Sequence, residues 1–506
     1  LVFVFAGFLL ALPPSDAAGQ GRRVRLSADL IERLQAGDVA GHEVIVTGSA
    51  MHVGAVAERH GLIVRKRLRT GAVLAVPAGA LEALTRDPEV DQISGNHQLR
   101  SQMAITNAAI GADRAWEGIG GLRGVTGAGV GVAIIDSGIT EVAALRGRVV
   151  ASVDFTDAHG RGIDRYGHGT HVAGIVAAAG RNGYDDTRGV APGAHLVNLK
   201  VLDEHGEGTA GDVIDAIDWA VEHRRRYRIR VINMSLGGTP LQSWRDDPLC
   251  QAVQRAYDAG IVVIASAGNL GKAADGTPVI GGVTVPGTCP HSLTVGALNT
   301  KGTAFRSDDE VATYSSRGPT RYDRLIKPDL VAPGNRIRGL LAPGSTLAHE
   351  YPELVLGTGR DAQLELSGTS MAAAVVAGAA ALLIDRSSWM LPKAVRVALQ
   401  FESEHGPSLS LLSERAGSLN ISASLLLLDR DKRIVSLIPE RVGAFGGVIF
   451  DATVVWGDTV VWGDTVVWGD TAVWGDTAVW GDTALWGDTA VWGDTAVWRD
   501  TVVWGD

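Results

Sequence analysis

Four polar residues stand at the ends of apolar runs, where a folded chain would hold them at the rim of a dry interior. Asp136 follows "VGVAII", His168 lies between two glycines in "YGHGTHVAGIVAAAG", Asn269 closes "IASAGN", and Ser370 opens "SMAAAVVAGAAALLI". Each has an ordinary reading alone. Asp-Ser-Gly makes a strand-ending turn, His168 a cap or core residue, Asn269 a loop residue and Ser370 a helix N-cap. As a set, a hydroxyl, an imidazole and a carboxylate are the side chains from which a nucleophile, its base and an orienting group are built. Ser370 gains something further at a helix start, where free N–H groups and the helix dipole favour a negative charge developing beside its hydroxyl.

The elements that must position these residues can be read from pattern. Short runs rich in β-branched residues, "GVGVAIID", "HLVNLKVL", "IRVINMSLGG" and "GIVVIASAGN", alternate with helical spacings such as Val213, Ile214, Ile217 and Val221 in "AGDVIDAIDWAVEHRRR". This pattern predicts an α/β fold with a doubly wound, mostly parallel sheet covered by helices, from about residue 105 to 430. Open sheets of this kind place ligands beyond the carboxyl ends of their strands, which is where Asp136 and Asn269 fall. The run after Ser370 has no polar face, so its helix must be buried.

Taken in order, the motifs resemble those of the subtilisin-like serine peptidases, the subtilases. "AIIDSGI" matches the aspartate motif, "GHGTHVAG" the histidine motif, "SAGN" the oxyanion asparagine and "GTSMAA" the serine motif, with "INMSLGG", "YSSRGP" and "KPDLVAPG" between them. The order Asp, His, Ser is that of the subtilisin triad. The resemblance implies a serine endopeptidase acting on polypeptide substrates. Ser370 would attack, His168 would take and return its proton, and Asp136 would orient the imidazole. The Asn269 amide and the Ser370 N–H would hold the oxyanion. It also implies that Ser235, Leu236 and Gly237, with Ser266, Ala267 and Gly268, line the cleft and pair with extended substrate, and that Thr284 to Pro286 bears on the pocket before the cut. Ala374 stands where the family usually has proline, and alanine is the better helix former.

No cofactor is required by this reading. The resemblance admits a structural calcium ion, for which Asn182, Asp185 and Asp186 make a loop that also reads as a solvated turn. A zinc site built on His168 and His171 lacks the H-E-x-x-H pattern: His42 is followed four residues on by Val46, and His349 by Glu353.

Residues 1–18 contain an apolar run too short to span a bilayer and read as a truncated signal peptide, so the protein is expected to be secreted or held at the cell surface or in the periplasm. Residues 19–104 read as a βαββαβ module, ferredoxin-like, which the resemblance identifies as an inhibitory propeptide, an intramolecular partner of the cleft. Cys250 and Cys289 could form one disulfide or stand as two buried thiols.

After a linker at 431–452, residues 453–506 repeat a six-residue unit with nine tryptophans. On a helix their positions wind round every side. In a β conformation an even period returns each to one face, and three hexads per turn would make about three coils. A flexible acidic tail is the other reading. The net charge is −10, and residues 451–506 hold ten Asp and one Arg, leaving about −1 for the rest. This balance offers no basic face for nucleic acid, and no other run is long and apolar enough to anchor the chain. A catalytically idle subtilase-fold binding protein, with the repeats as its interaction module, is the alternative to an enzyme.

Overall fold

The computed structural model describes residues 24–430, except 28–29, 32–40, 49–51, 69–70, 78, 96–101, 157–159, 181–186, 360–361, 405–411 and 414. Beyond 430 it describes only the strand segments between Glu440 and Val503. The expected signal peptide and the Asn182, Asp185 and Asp186 loop lie outside the described residues. The chain divides into two units, Leu1–Leu99 and Arg100–Asp506.

In the first unit, β1 (Arg25–Leu26), β2 (His42–Thr47), β3 (Ile63–Leu68), β4 (Gly71–Val76) and β5 (Gln92–Gly95) form a sheet of order β1-β5-β2-β4-β3. The pairs β2–β4, β3–β4 and β2–β5 are antiparallel. Helices Val53–Arg59 and Leu81–Leu84 bring Val56 and Leu84 onto Val44, Val46, Leu74 and Ile93. The basic run Arg65–Arg67 lies on β3, which is largely exposed.

In the second unit the sheet runs through β6 (Gly131–Asp136), β7 (Val149–Asp154), β8 (His195–Lys200), β9 (Ile229–Met234), β10 (Val262–Ser266), β11 (Ser292–Asn299), β12 (Glu310–Val311) and β13 (Leu330–Pro333). Its order is β12-β11-β10-β9-β6-β8-β7, with β13 also against β11, and every pairing is parallel except β11–β12. The first strand of the unit, β6, is central, because the chain goes out to β7 at the edge, comes back to β8 beside β6, and then crosses to β9 on the other side. That reversal opens a crevice at the carboxyl end of β6.

The residues of β6 are buried on both faces, as a parallel sheet demands. Val132 and Ile134 join the cluster under helices His168–Ala177 and Thr369–Arg386, while Ala133 and Ile135 join that under Ala210–His223 and Pro248–Asp258. Thr209 and Asp212 start Ala210–His223 with a reciprocal capping box, and Asp247 caps the helix that Pro248 begins. The Thr369–Arg386 helix is long and apolar enough to cross a membrane, yet 83% of it is buried in the protein. Gly378 lets it close on Val190, since a Cβ there would stand 2.6 Å from the valine's own.

Behind β11 the "KPDL" segment does structural work. The buried Asp329 carboxylate accepts from Lys327 Nζ at 2.6 Å, Arg415 at 2.8 Å and the Thr294 N–H at 2.8 Å. Burial pulls the Lys327 amine down to about 8 despite that partner.

In the hexads, strands pair in parallel and in register at a spacing of three hexads. Thr459–Trp462 pairs with Thr477–Trp480, and that with Thr495–Trp498. Three three-stranded sheets result. A parallel ladder needs a long crossover, and here the two intervening strands supply it.

Cys250 and Cys289 form a disulfide, settling the alternatives open in the sequence, and it ties the start of Pro248–Asp258 to the loop before β11. It closes a loop with a sequence separation of 39. Chain entropy assigns such a loop about 4 kcal/mol. The C250S/C289S variant is expected to lose up to that amount in denaturant unfolding, and reductant should lower the parent but not the variant.

Candidate active site

Asp136 ends β6, and His168 is the first residue of the helix that follows β7. Their contact is direct: Asp136 Oδ1 lies 2.8 Å from His168 Nδ1 and also accepts the Ser137 N–H at 2.7 Å. Strand β9 pairs with β6 so that Met234 is level with Ile135, which brings Ser235 beside the end of β6. Ser370, the second residue of the Thr369–Arg386 helix, is bound there. Its Oγ donates to the Ser235 carbonyl at 3.0 Å, and the Ser235 hydroxyl donates to the Ser370 carbonyl at 2.7 Å. The helix cap is Gly368, not Ser370. Ser370 therefore carries one of the N–H groups a helix start leaves free.

Asn269 is exposed just past β10, and its side-chain oxygen is taken by Thr369, from the N–H at 3.0 Å and the hydroxyl at 3.1 Å. That fixes the amide and turns its NH₂ to the other side. The hydroxyl of Thr369 also accepts the Gly268 N–H at 3.0 Å, joining the asparagine loop to the serine turn.

The glycine-bearing segments differ in what they leave available. Gly238 and Val285 exchange N–H···O bonds at 2.9 and 3.0 Å, and Thr284 donates to the Ala267 carbonyl at 3.0 Å. Ala267 is fully buried and its N–H is taken by Val295. Gly268 spends its carbonyl on the Ser316 N–H, and Ser266 is buried with its hydroxyl on the Leu236 carbonyl, so much of the hydrogen bonding of Ser266, Ala267 and Gly268 is engaged within the protein. Among the described residues the backbone groups of Gly237 are uncommitted, so Leu236 and Gly237 keep an open edge.

The family model described as "Subtilase family" matches residues 127–415. The chain belongs to the subtilase family. It is a serine-type endopeptidase, a hydrolase of polypeptides. Serine protease AprX of Bacillus subtilis (strain 168) is 37% identical over 306 residues, covering 60% of this chain and 67% of that protein. Subtilisin DY of Bacillus licheniformis is 34% identical, covering 54% and 83%. A solved structure, Sphericase, aligns over 61% of this chain and 97% of its own at 27% identity, with a TM-score of 0.47.

Sequence reading of this subtilase missed the residues that hold the site together. Asp164 is 3% exposed and accepts from Ser137 Oγ at 2.9 Å, the Gly167 N–H at 2.7 Å and the Thr170 N–H at 2.7 Å. It fastens the turn after β6 to the start of the His168 helix. Its signal was an acidic residue four before His168, in "DRYGH". Lys200, level with Asp136 across β8, donates its ammonium to the Ser137 and Leu202 carbonyls from behind.

The two histidines of the motif have opposite states. Burial works against a charge on His168, but the Asp136 charge, its hydrogen bond and then Asp164 outweigh it and raise the imidazole above its usual value. Burial pulls His171 down to about 4. Its Nε2 lies 3.0 Å from the Leu364 carbonyl and 3.2 Å from that of Ile337, so it is a neutral donor in the core. Gly339 makes room for its ring, since a Cβ there would come within 2.7 Å. In a histidine NMR titration, His168 should therefore change protonation above ~6.5 and His171 only well below it. D164N should move the His168 midpoint down, and a midpoint unmoved by D164N would remove Asp164 from this account.

Proposed function

We propose that this subtilase is a secreted enzyme, made as a zymogen, that cuts peptide bonds through an acyl-enzyme on Ser370. The observation that carries the reading is the 2.8 Å contact between Asp136 and His168 at the crevice where Ser370 begins a buried helix. For attack, the Ser370 hydroxyl leaves the Ser235 carbonyl and passes its proton to His168 Nε2 as Oγ bonds to the substrate carbonyl carbon. Asp136 holds the other ring nitrogen in its N–H form and balances the imidazolium.

The oxyanion then receives the free Asn269 amide and the Ser370 N–H, both fixed before substrate arrives. His168 returns the proton to the departing amine, and water repeats the sequence to release the acid. Extended substrate lies along Leu236 and Gly237, and pairing through backbone groups reads little sequence.

Export is supported by the disulfide, which persists in oxidising compartments, together with the apolar run at residues 1–12. The separate unit Leu1–Leu99, in which β2 to β5 and two helices follow the βαββαβ order, supports an inhibitory prosegment removed near residues 96–107. A catalytically idle scaffold has no use for a raised His168 bonded to a buried carboxylate.

S370A is expected to abolish self-processing and casein cleavage, with turnover down ~10⁶-fold, a figure measured on subtilisin itself. N269A should cost ~100–1000-fold in kcat, also the subtilisin value, with KM little changed. Because His168 must be neutral to act as base and its pKa is raised, the acid limb of kcat/KM should lie above ~6.5 and activity should rise as pH passes through it. Equal casein cleavage by parent and S370A would refute the proposal.

A further inference from the structure

At the amino ends of β6 and β9, opposite the crevice, lies a groove of about 690 Å³. Its wall is the run "RRRYRIR", which places Arg224, Arg225, Arg228 and Arg230 along it. Among the described residues no carboxylate pairs with any of the four. Arg224 donates to the Val221 carbonyl and Arg230 to those of Ser388 and Met390. Burial pulls the Arg230 guanidinium below its usual value, with no acid to raise it. The one acid lining the groove among the described residues, Asp385, is already committed to the N–H groups of Thr126, Gly127 and Ala128 and to Arg123.

Four like charges facing one concave surface repel one another and gain from an anion. The opposite rim is apolar: Trp389 is 45% and Leu391 62% exposed. A complementary partner thus carries carboxylates close to apolar or aromatic side chains. This chain makes such a ligand. Each hexad holds a Trp with an Asp two residues on, and residues 451–506 carry ten Asp against one Arg.

We propose that the arginine groove binds the Trp-Gly-Asp hexads of a second copy of this chain, joining molecules head to tail. The stoichiometry favours a second copy. One groove engages only a small part of the tail, yet each chain supplies nine tryptophan-bearing repeats, so the surplus is open to other grooves. Groove and hexads are different surfaces, so the contact is heterologous and extends into chains rather than closing as a symmetric dimer. It would concentrate several peptidase domains while leaving the crevice, at the other end of the sheet, free.

The test uses the full chain carrying S370A, which removes self-cleavage, in sedimentation over a range of concentrations. Assemblies should grow with concentration at about 50 mM salt and dissolve at about 500 mM, where screening shortens to a few ångströms. R224E/R225E/R228E in that background should stay monomeric, and so should a chain ending at residue 450. Mixing those two should restore a complex, since one supplies hexads and the other an intact groove. The triple variant, made with Ser370 in place, should cleave a short peptide at the parental rate, which separates a lost contact from a lost fold. The inference is overturned if the triple variant assembles like the parent or if the mixture fails to associate. It is equally overturned if the full chain stays monomeric while a free TAVWGDTAVWGD peptide binds only the shortened chain, because the groove would then hold its own hexads.

Discussion

Asp164 holds three donors inside a site that already contains the carboxyl group of Asp136, and the geometry of His168 depends on it. By taking the Ser137 hydroxyl with one oxygen and the Thr170 N–H with the other, it locks the turn after β6 against the first turn of the histidine helix. Ser137 completes the tie by accepting the Gly169 N–H at 2.9 Å. The two segments approach so closely that a Cβ on Gly169 would fall 2.2 Å from the Gly138 carbonyl oxygen. A glycine is required there by packing. The same carboxylate adds its charge to that of Asp136 near the imidazole, so one residue serves both position and electrostatics.

The two ends of the sheet divide the electrostatic work. At the carboxyl ends, acids gather around one imidazole, with Lys200 behind them on backbone carbonyls. At the amino ends, among the described residues, Arg224, Arg225, Arg228 and Arg230 have no carboxylate paired to them. Between them lies the buried Asp329, whose burial would raise its carboxyl were it not overcome by Lys327, Arg396 and Arg415. Removing one member of such a buried set leaves an unpaired charge, which is costlier than never having had the set.

Much of this was legible in the chain. The apolar run before Asp136 became β6, which Asp136 ends, and the run before Asn269 became β10, with Asn269 three residues past its last residue. The all-apolar run after Ser370 became a helix that is 83% buried, for the reason its composition stated. Pairing of Cys250 with Cys289 was not legible, since it needs two loops to meet in space. Nor was the occupancy of Ala267 and Gly268, whose backbone groups are consumed by Thr284, Val295 and Ser316 from distant segments.

What the sequence determined by itself is therefore the list of reactive side chains, their order and the elements that end beside them, since periodicity and motif spacing are local properties. The tertiary structure decided which of those groups are free to act. It gave His168 the charges that raise it and His171 the core that lowers it, although the two sit one helical turn apart. It also collected Arg224 to Arg230 against Trp389 and Leu391, about 160 residues away in sequence, into one surface. Protonation and accessibility depend on neighbours across the chain, and only folding supplies those neighbours.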